Sequence, residues 1–234
     1  MLKHPMKYLC IILLTLSWNV LQAQTADEWI KSGNQKMDEG NSLGAIKDFT
    51  AALELQPDNT QALAERGSVY ASLAQWKDAL NDFNRTLTID SNDAFTYFNR
   101  AFVYHALDQL ENALNDYSKY IGLVPNDPEG YLARAEIYML LDKKSDAHLD
   151  YTKYISIPPA QITDYVSISE VKLLLGDTTG ALEAINTCLK GLPDYVKAYK
   201  YRAMIYEMQG KHEAAIEDYN IYLLDHNGDF TAYV

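Results

Sequence analysis

The hexapeptide DYSKYI at residues 116–121 returns as DYTKYI at 150–155 and as DYNIYL at 218–223, at intervals of 34 and twice 34 residues. The same interval runs through the chain. Ala45, Ala79, Ala113, Ala147, Ala181 and Ala215 are each 34 residues apart, with no insertion between them. Four residues after each alanine stands Phe49, Phe83, Tyr117, Tyr151, Ile185 or Tyr219, and sixteen before it stands Trp29, Leu63, Tyr97, Tyr131, Tyr165 or Tyr199. Twelve before it the residue is small: Gly33, Gly67, Ala101, Ala135, Ser169, Ala203. Large, small, small and large side chains at fixed spacing suit two antiparallel helices that approach closely and interlock. A period of this length decides the architecture before any single element is assigned.

Helix limits follow the same beat. Thr25 with Glu28 makes a capping box, and Asp127 before Pro128 supplies a cap and an N1 proline. Gly40, Gly176 and Gly210 fall midway through their units, where a first helix must end and the chain turn. Pro57, Pro125, Pro159 and Pro193 close four units, where a second helix stops. Tyr117 with Tyr120, Tyr151 with Tyr154 and Tyr219 with Tyr222 stand three apart, so each pair shares one helical face and packs on a neighbour. Each unit reads as a helix, a short turn and a second helix.

These residues resemble the tetratricopeptide repeat family, whose pattern sets a large residue, a Leu-Gly pair, a Tyr, an Ala, an aromatic and a closing Pro over 34 residues. The resemblance covers residues 26–229 as six units, 26–59, 60–93, 94–127, 128–161, 162–195 and 196–229, with a partial seventh at 230–234. Ser91 and Asn227 replace the closing Pro, and the fifth unit, with Ile185 and Cys188, departs furthest. The resemblance implies an all-α, right-handed superhelical solenoid of stacked helix-turn-helix repeats over residues 24–234. The five-residue stub cannot shield the apolar edge of the sixth unit, so self-association through that repeat, or a longer parent chain, is expected.

Lys3 and Lys7 lead into the apolar run YLCIILLTLSW, residues 8–18, and Ala23 offers a cleavage position, so residues 1–23 read as a signal peptide. The expected location is periplasmic or secreted, with an uncleaved N-terminal anchor as the alternative. The formal net charge of -12 opposes a general role on nucleic acid or anionic lipid. Cleavage would leave Cys188 as the sole cysteine, which excludes an intramolecular disulfide. At a core-facing position it reads as an apolar filler.

Catalytic patterns are missing from the sequence. His105, His148, His212 and His226 are not spaced three or four apart to share a metal, and no phosphate loop, dinucleotide fingerprint or serine elbow occurs. Asp48, Asp82, Asp116, Asp150 and Asp218 recur singly as part of the repeat, not as the paired acids of a hydrolase. The reading is a non-enzyme with no cofactor and no metal.

In the family resembled, the first helix of each unit lines a concave groove. Carried over residue by residue, this places Phe95, Phe98, Asn99, Phe102 and His105 of the third unit in the groove, and Leu132, Glu136, Met139 and Leu140 of the fourth. Phe95, Phe98, Phe102 and His105 follow at steps of three, four and three, a separate face from the packing residues Tyr97 and Tyr104. Two readings of this strip stand: a site for a partner's helix or extended segment, and rings that pack on the adjacent repeat. Family members that grip the carboxyl end of chaperones use a clamp of Lys, Asn and Arg. Here Asn34 and Asn99 match it, but Ala64, Glu65 and Glu129 occupy other clamp positions. The function expected is a non-catalytic scaffold that binds a polypeptide in its groove, in a cell-envelope or secretion assembly. The alternatives are a sensor or targeting segment of a larger protein, and a glycan or small-molecule binder using tyrosine faces.

Overall fold

Thr25 opens the first helix with the reciprocal bonds of a capping box: its Oγ1 accepts from the Glu28 N–H at 3.2 Å, and the Glu28 carboxylate accepts from the Thr25 N–H at 2.8 Å. The computed structural model describes residues 25–226. Residues 1–23, expected to form a signal peptide, and the partial seventh unit 230–234 lie outside the described residues.

The described chain is an all-α helical repeat of twelve helices, without a strand. The first and second helices of successive repeats are α1 (Ala26–Asp38) and α2 (Ser42–Leu55), α3 (Thr60–Ser72) and α4 (Trp76–Ile89), and α5 (Ala94–Ala106) and α6 (Leu110–Leu123). They continue with α7 (Pro128–Leu140) and α8 (Lys144–Ser156), α9 (Asp164–Leu174) and α10 (Thr178–Gly191), and α11 (Val196–Met208) and α12 (His212–His226). Asn41, Asn59, Asp93, Asp127 and Asp177 cap helix N-termini with their side-chain oxygens. Helix α9 begins two residues past Ile162, because Gln161 to Thr163 form a hydrogen-bonded turn in which the Asp164 carboxylate accepts from the Gln161 N–H at 2.8 Å.

One backbone device repeats between the two helices of every pair. Gly40, Ala74, Asp108, Asp142, Gly176 and Gly210, spaced by 34, all adopt positive φ between 55° and 79°. The following N–H reaches back to a carbonyl five residues earlier, as in Asn41 to Lys36 at 2.7 Å and Gln75 to Tyr70 at 2.8 Å. This is a Schellman closure, which satisfies the last carbonyls of the first helix. Three positions use glycine, as the sequence suggests; Ala74, Asp108 and Asp142 hold the same conformation with a Cβ.

Packing explains the large and small alternation. The Phe49 and Phe83 rings are fully buried, and a Cβ placed on Gly33 or Gly67 would lie 2.6 Å from Phe49 or 2.7 Å from Phe83. The small position therefore receives the aromatic of the second helix. The six alanines of the repeat are likewise buried. Cys188 packs among Val166, Ile185 and Ile205, where burial pushes its thiol pKa up and removes reactivity.

A set of ion pairs that the carboxylate spacing alone did not reveal joins the helices of most pairs. Arg66, Arg100, Arg134 and Arg202 each form a two-pronged bond with Asp82, Asp116, Asp150 and Asp218, at 2.7 to 2.9 Å. The remaining guanidinium nitrogen of Arg66, Arg100 and Arg202 donates to Thr50, Asn84 and Asn186, on the second helix of the preceding repeat. In the first repeat Ser32 and Lys36 both meet Asp48 at 2.6 Å. In the fifth, Ile168 and Ala184 stand where the pair would be.

The chain divides into two compact units, the first ending at Leu123 and the second beginning at Val124. In the first, α2 packs on α3 and α4 on α5, while α1, α3 and α5 touch in series. In the second, α10 packs on α11 and α9 touches α11, but α8 and α9 meet over a smaller contact than α2 and α3, α4 and α5, or α10 and α11.

Candidate interaction surface

Helix α5 carries the aromatic residues singled out in the sequence, and the structure separates them. Tyr97 and Tyr104 flank the Arg100 guanidinium, with ring centroids 5.7 and 5.6 Å from its carbon, so both belong to the ion-pair layer. Phe98 is half-buried and meets Tyr117 and Tyr120 of α6 at centroid distances of 5.5 and 4.9 Å. Phe95 and Phe102 remain 48% and 49% exposed, and Phe102 has an edge contact with Trp76 at 6.5 Å. Of the three phenylalanines, Phe98 is tied to its own helix pair, and the other two present ring surface to solvent.

Asn99 donates its side-chain amide to the Phe95 carbonyl at 2.8 Å, one turn back on the same helix. His105 is half-buried in the last turn of α5. On α3, Glu65 is half-buried, and burial together with Asp93 raises its pKa.

In the second compact unit, α7 carries Leu132, half-buried, with Glu136, Met139 and Leu140 exposed, Leu140 at 59%. Glu129 opens the same helix; burial raises its pKa, as do Asp127, Asp164 and Glu136. On α11, Tyr201 is pushed up to about 12 by its hydrogen bond to Glu170, with burial adding to the shift. The Tyr201 ring is therefore held by a carboxylate on the preceding first helix. Among the described residues, no group of three or more His, Cys, Asp or Glu is placed to hold a metal ion.

Sequence comparison settles the family. A tetratricopeptide repeat profile matches residues 30–94 and 171–230, and a second profile of that repeat matches residues 96–127. The chain belongs to the tetratricopeptide repeat family. Tetratricopeptide repeats are in general non-catalytic scaffolds for protein interaction, and the helix pairs described above accord with that. No curated protein matches the sequence.

Among solved structures, a tetratricopeptide repeat protein from Parabacteroides merdae ATCC 43184 is 23% identical with a TM-score of 0.63, covering 84% of this chain and 78% of its own. PilW, a type IV pilus biogenesis factor, is 16% identical with a TM-score of 0.72, covering 90% of this chain and 96% of its own. The first tetratricopeptide repeat domain of Spaghetti (RPAP3), solved with the HSP90 peptide SRMEEVD, is 26% identical with a TM-score of 0.50, covering 52% of this chain and 96% of its own.

The arginines escaped the sequence reading, although a signal was there. Arg66, Arg100, Arg134 and Arg202 keep the 34-residue interval, each sixteen residues before an aspartate of the repeat. Trp76 was also missed as a neighbour of Phe102, because it lies on the second helix of the preceding pair.

Proposed function

We propose that this tetratricopeptide repeat protein is a non-catalytic scaffold that captures a polypeptide on the exposed faces of its first helices, in a cell-envelope or secretion assembly. The observation that carries the reading is the half-exposure of Phe95 and Phe102 on α5, beside aromatic neighbours already engaged in packing. A ring held at the surface of a rigid helix gains burial on association with little ordering cost. The Spaghetti domain, which binds a peptide, supports polypeptide capture as the mode. Glu65 and Glu129 at clamp positions favour a partner other than the acidic peptide bound there.

An envelope setting accords with the leader-like residues 1–23 and with the fold likeness to PilW. No helix among the described residues is long and apolar enough to cross a membrane. Self-association is a second reading, favoured by Ile216, Leu223 and Leu224, which α12 leaves exposed.

The test is affinity capture from the native cell envelope with the wild type and a Phe95→Ser, Phe102→Ser variant side by side. The expected result is a partner whose affinity falls by at least about tenfold in the variant while helicity and Tm hold, as loss of two half-buried rings implies. Equal capture by both proteins overturns the reading.

A further inference from the structure

In four repeats, three side chains meet between the two helices of the pair: Arg66, Asp82 and Tyr70 in the second repeat, and their equivalents in the third, fourth and sixth. Each guanidinium bonds its aspartate and lies over its tyrosine, at 5.6 to 5.8 Å from the ring centroid. The fifth repeat replaces all three at once, with Ile168 for the arginine, Ala184 for the aspartate and Lys172 for the tyrosine. A cavity of about 360 Å³ opens at that place, within the second compact unit, and all three substituted residues line it. Ile155, Tyr165 and the Pro158–Pro159 connection also line it. The reduced contact between α8 and α9 marks the same junction.

The replacements change its chemistry as well as its volume. The wall combines apolar Ile155, Ile168 and Ala184 with polar Ser156, Glu183 and Thr187, and a lysine stands where a neutral ring stood. The Lys172 ammonium lies 3.5 Å from an Asp177 oxygen, long for a charge-assisted hydrogen bond, while the other Asp177 oxygen caps α10 by accepting from the Gly180 N–H at 2.8 Å. A Cβ on Gly180 would run into the Asp177 carboxylate first and would come 2.6 Å from the Lys172 nitrogen, so the glycine makes room for both charged groups at the cavity rim. Small-molecule sites are concave and mostly apolar, with few polar groups to orient the ligand, and this volume is near their lower limit.

We propose that this cavity binds a small hydrophobic monocarboxylate, its aryl or branched alkyl part against Ile168 and Ala184 and its carboxylate on Lys172. The exposed Glu183 at the same cavity disfavours a second negative charge on the ligand. The site is independent of the aromatic face of α5.

The test titrates the full chain with 3-phenylpropionate and with its neutral amide, by calorimetry and by saturation-transfer NMR. The wild type is expected to prefer the carboxylate by about tenfold or more, the worth of one charge-assisted hydrogen bond. An I168R, A184D, K172Y variant installs the side chains that the other repeats carry. It is expected to keep the wild-type circular dichroism and to bind at least about tenfold more weakly, since the occupied volume is gone. Lys172→Met keeps the apolar wall and is expected to bind acid and amide alike. Ala184→Leu fills the cavity with a single apolar side chain and is expected to lose binding even if the triple variant fails to fold. Equal binding by the wild type and Ala184→Leu, no preference for the acid, or no saturable binding of either probe overturns the proposal.

Discussion

The guanidinium of Arg66 meets the carboxylate of Asp82 through two hydrogen bonds, 2.8 Å from Nε and 2.9 Å from Nη2, across sixteen residues of chain. Asp82 is 1% exposed, so its charge has no recourse to water. Breaking a buried pair by removing one partner costs more than replacing both with apolar groups. Asp82→Ala is expected to lower the unfolding free energy by about 3 kcal/mol, because Arg66 is left charged, unpaired with its carboxylate and largely shielded from water. Arg66→Ile with Asp82→Ala, the combination the fifth repeat already carries at Ile168 and Ala184, is expected to recover more than half of that loss. Urea unfolding of the two single variants and the double variant gives the comparison. An additive double variant would show that the pair is not coupled.

Ala74 adopts the left-handed conformation that Gly40, Gly176 and Gly210 adopt at equivalent places, with φ of 56°. Its Cβ adds steric cost that glycine lacks. Ala74→Gly is expected to stabilise by about 0.5 to 1 kcal/mol despite the larger entropy of glycine in the unfolded chain, and Gly40→Ala to destabilise by a similar amount. Thermal unfolding of both variants reads the two opposite signs.

Glu65 has its pKa raised, chiefly by burial and then by Asp93. The fold therefore favours the protonated acid. The contribution of this group to stability is fully present below the ordinary value near 4.5 and is lost as the pH rises through the raised value. Glu65→Gln is expected to be more stable than the wild type at pH 7, with the difference shrinking as the pH falls towards 4. Chemical unfolding at several pH values measures the gap, and a gap that widens in acid would contradict the assignment.

Phe95 and Phe98 differ in what they touch, although three residues of one helix separate them. Phe98→Ala removes ring contacts with Tyr117 and Tyr120 and is expected to cost about 2 kcal/mol, whereas Phe95→Ala is expected to change stability by less than about 0.5 kcal/mol. Equal losses would show that Phe95 also serves the core.

The helix pairs were legible because the repeat writes the same contact again and again. A ring at Phe49 or Phe83 needs a small residue at Gly33 or Gly67, and that requirement recurs at fixed separation in the chain. Helix caps at Thr25 and Asp127 were legible for a related reason, since a cap is local and its partner lies two or three residues away. The left-handed turns were half legible: glycine announces a positive φ at Gly40, but nothing in the identity of Ala74 does.

By itself, then, the sequence determined the repeat, its helix pairs and the candidate face of α5, because these follow from periodicity and near neighbours. Tertiary structure decided which residues on that face have surface to offer. Phe95, Phe98 and Phe102 share one helical stripe, yet α6 approaches closely enough to engage Phe98 and leaves Phe95 half-exposed. It also decided what the fifth repeat means. Ile168, Lys172 and Ala184 read as scattered departures in the chain, and become the walls of one cavity when three helices converge on them. Exposure and cavity volume depend on how far neighbouring helices stand apart, a distance set by all the side chains between them and by none alone.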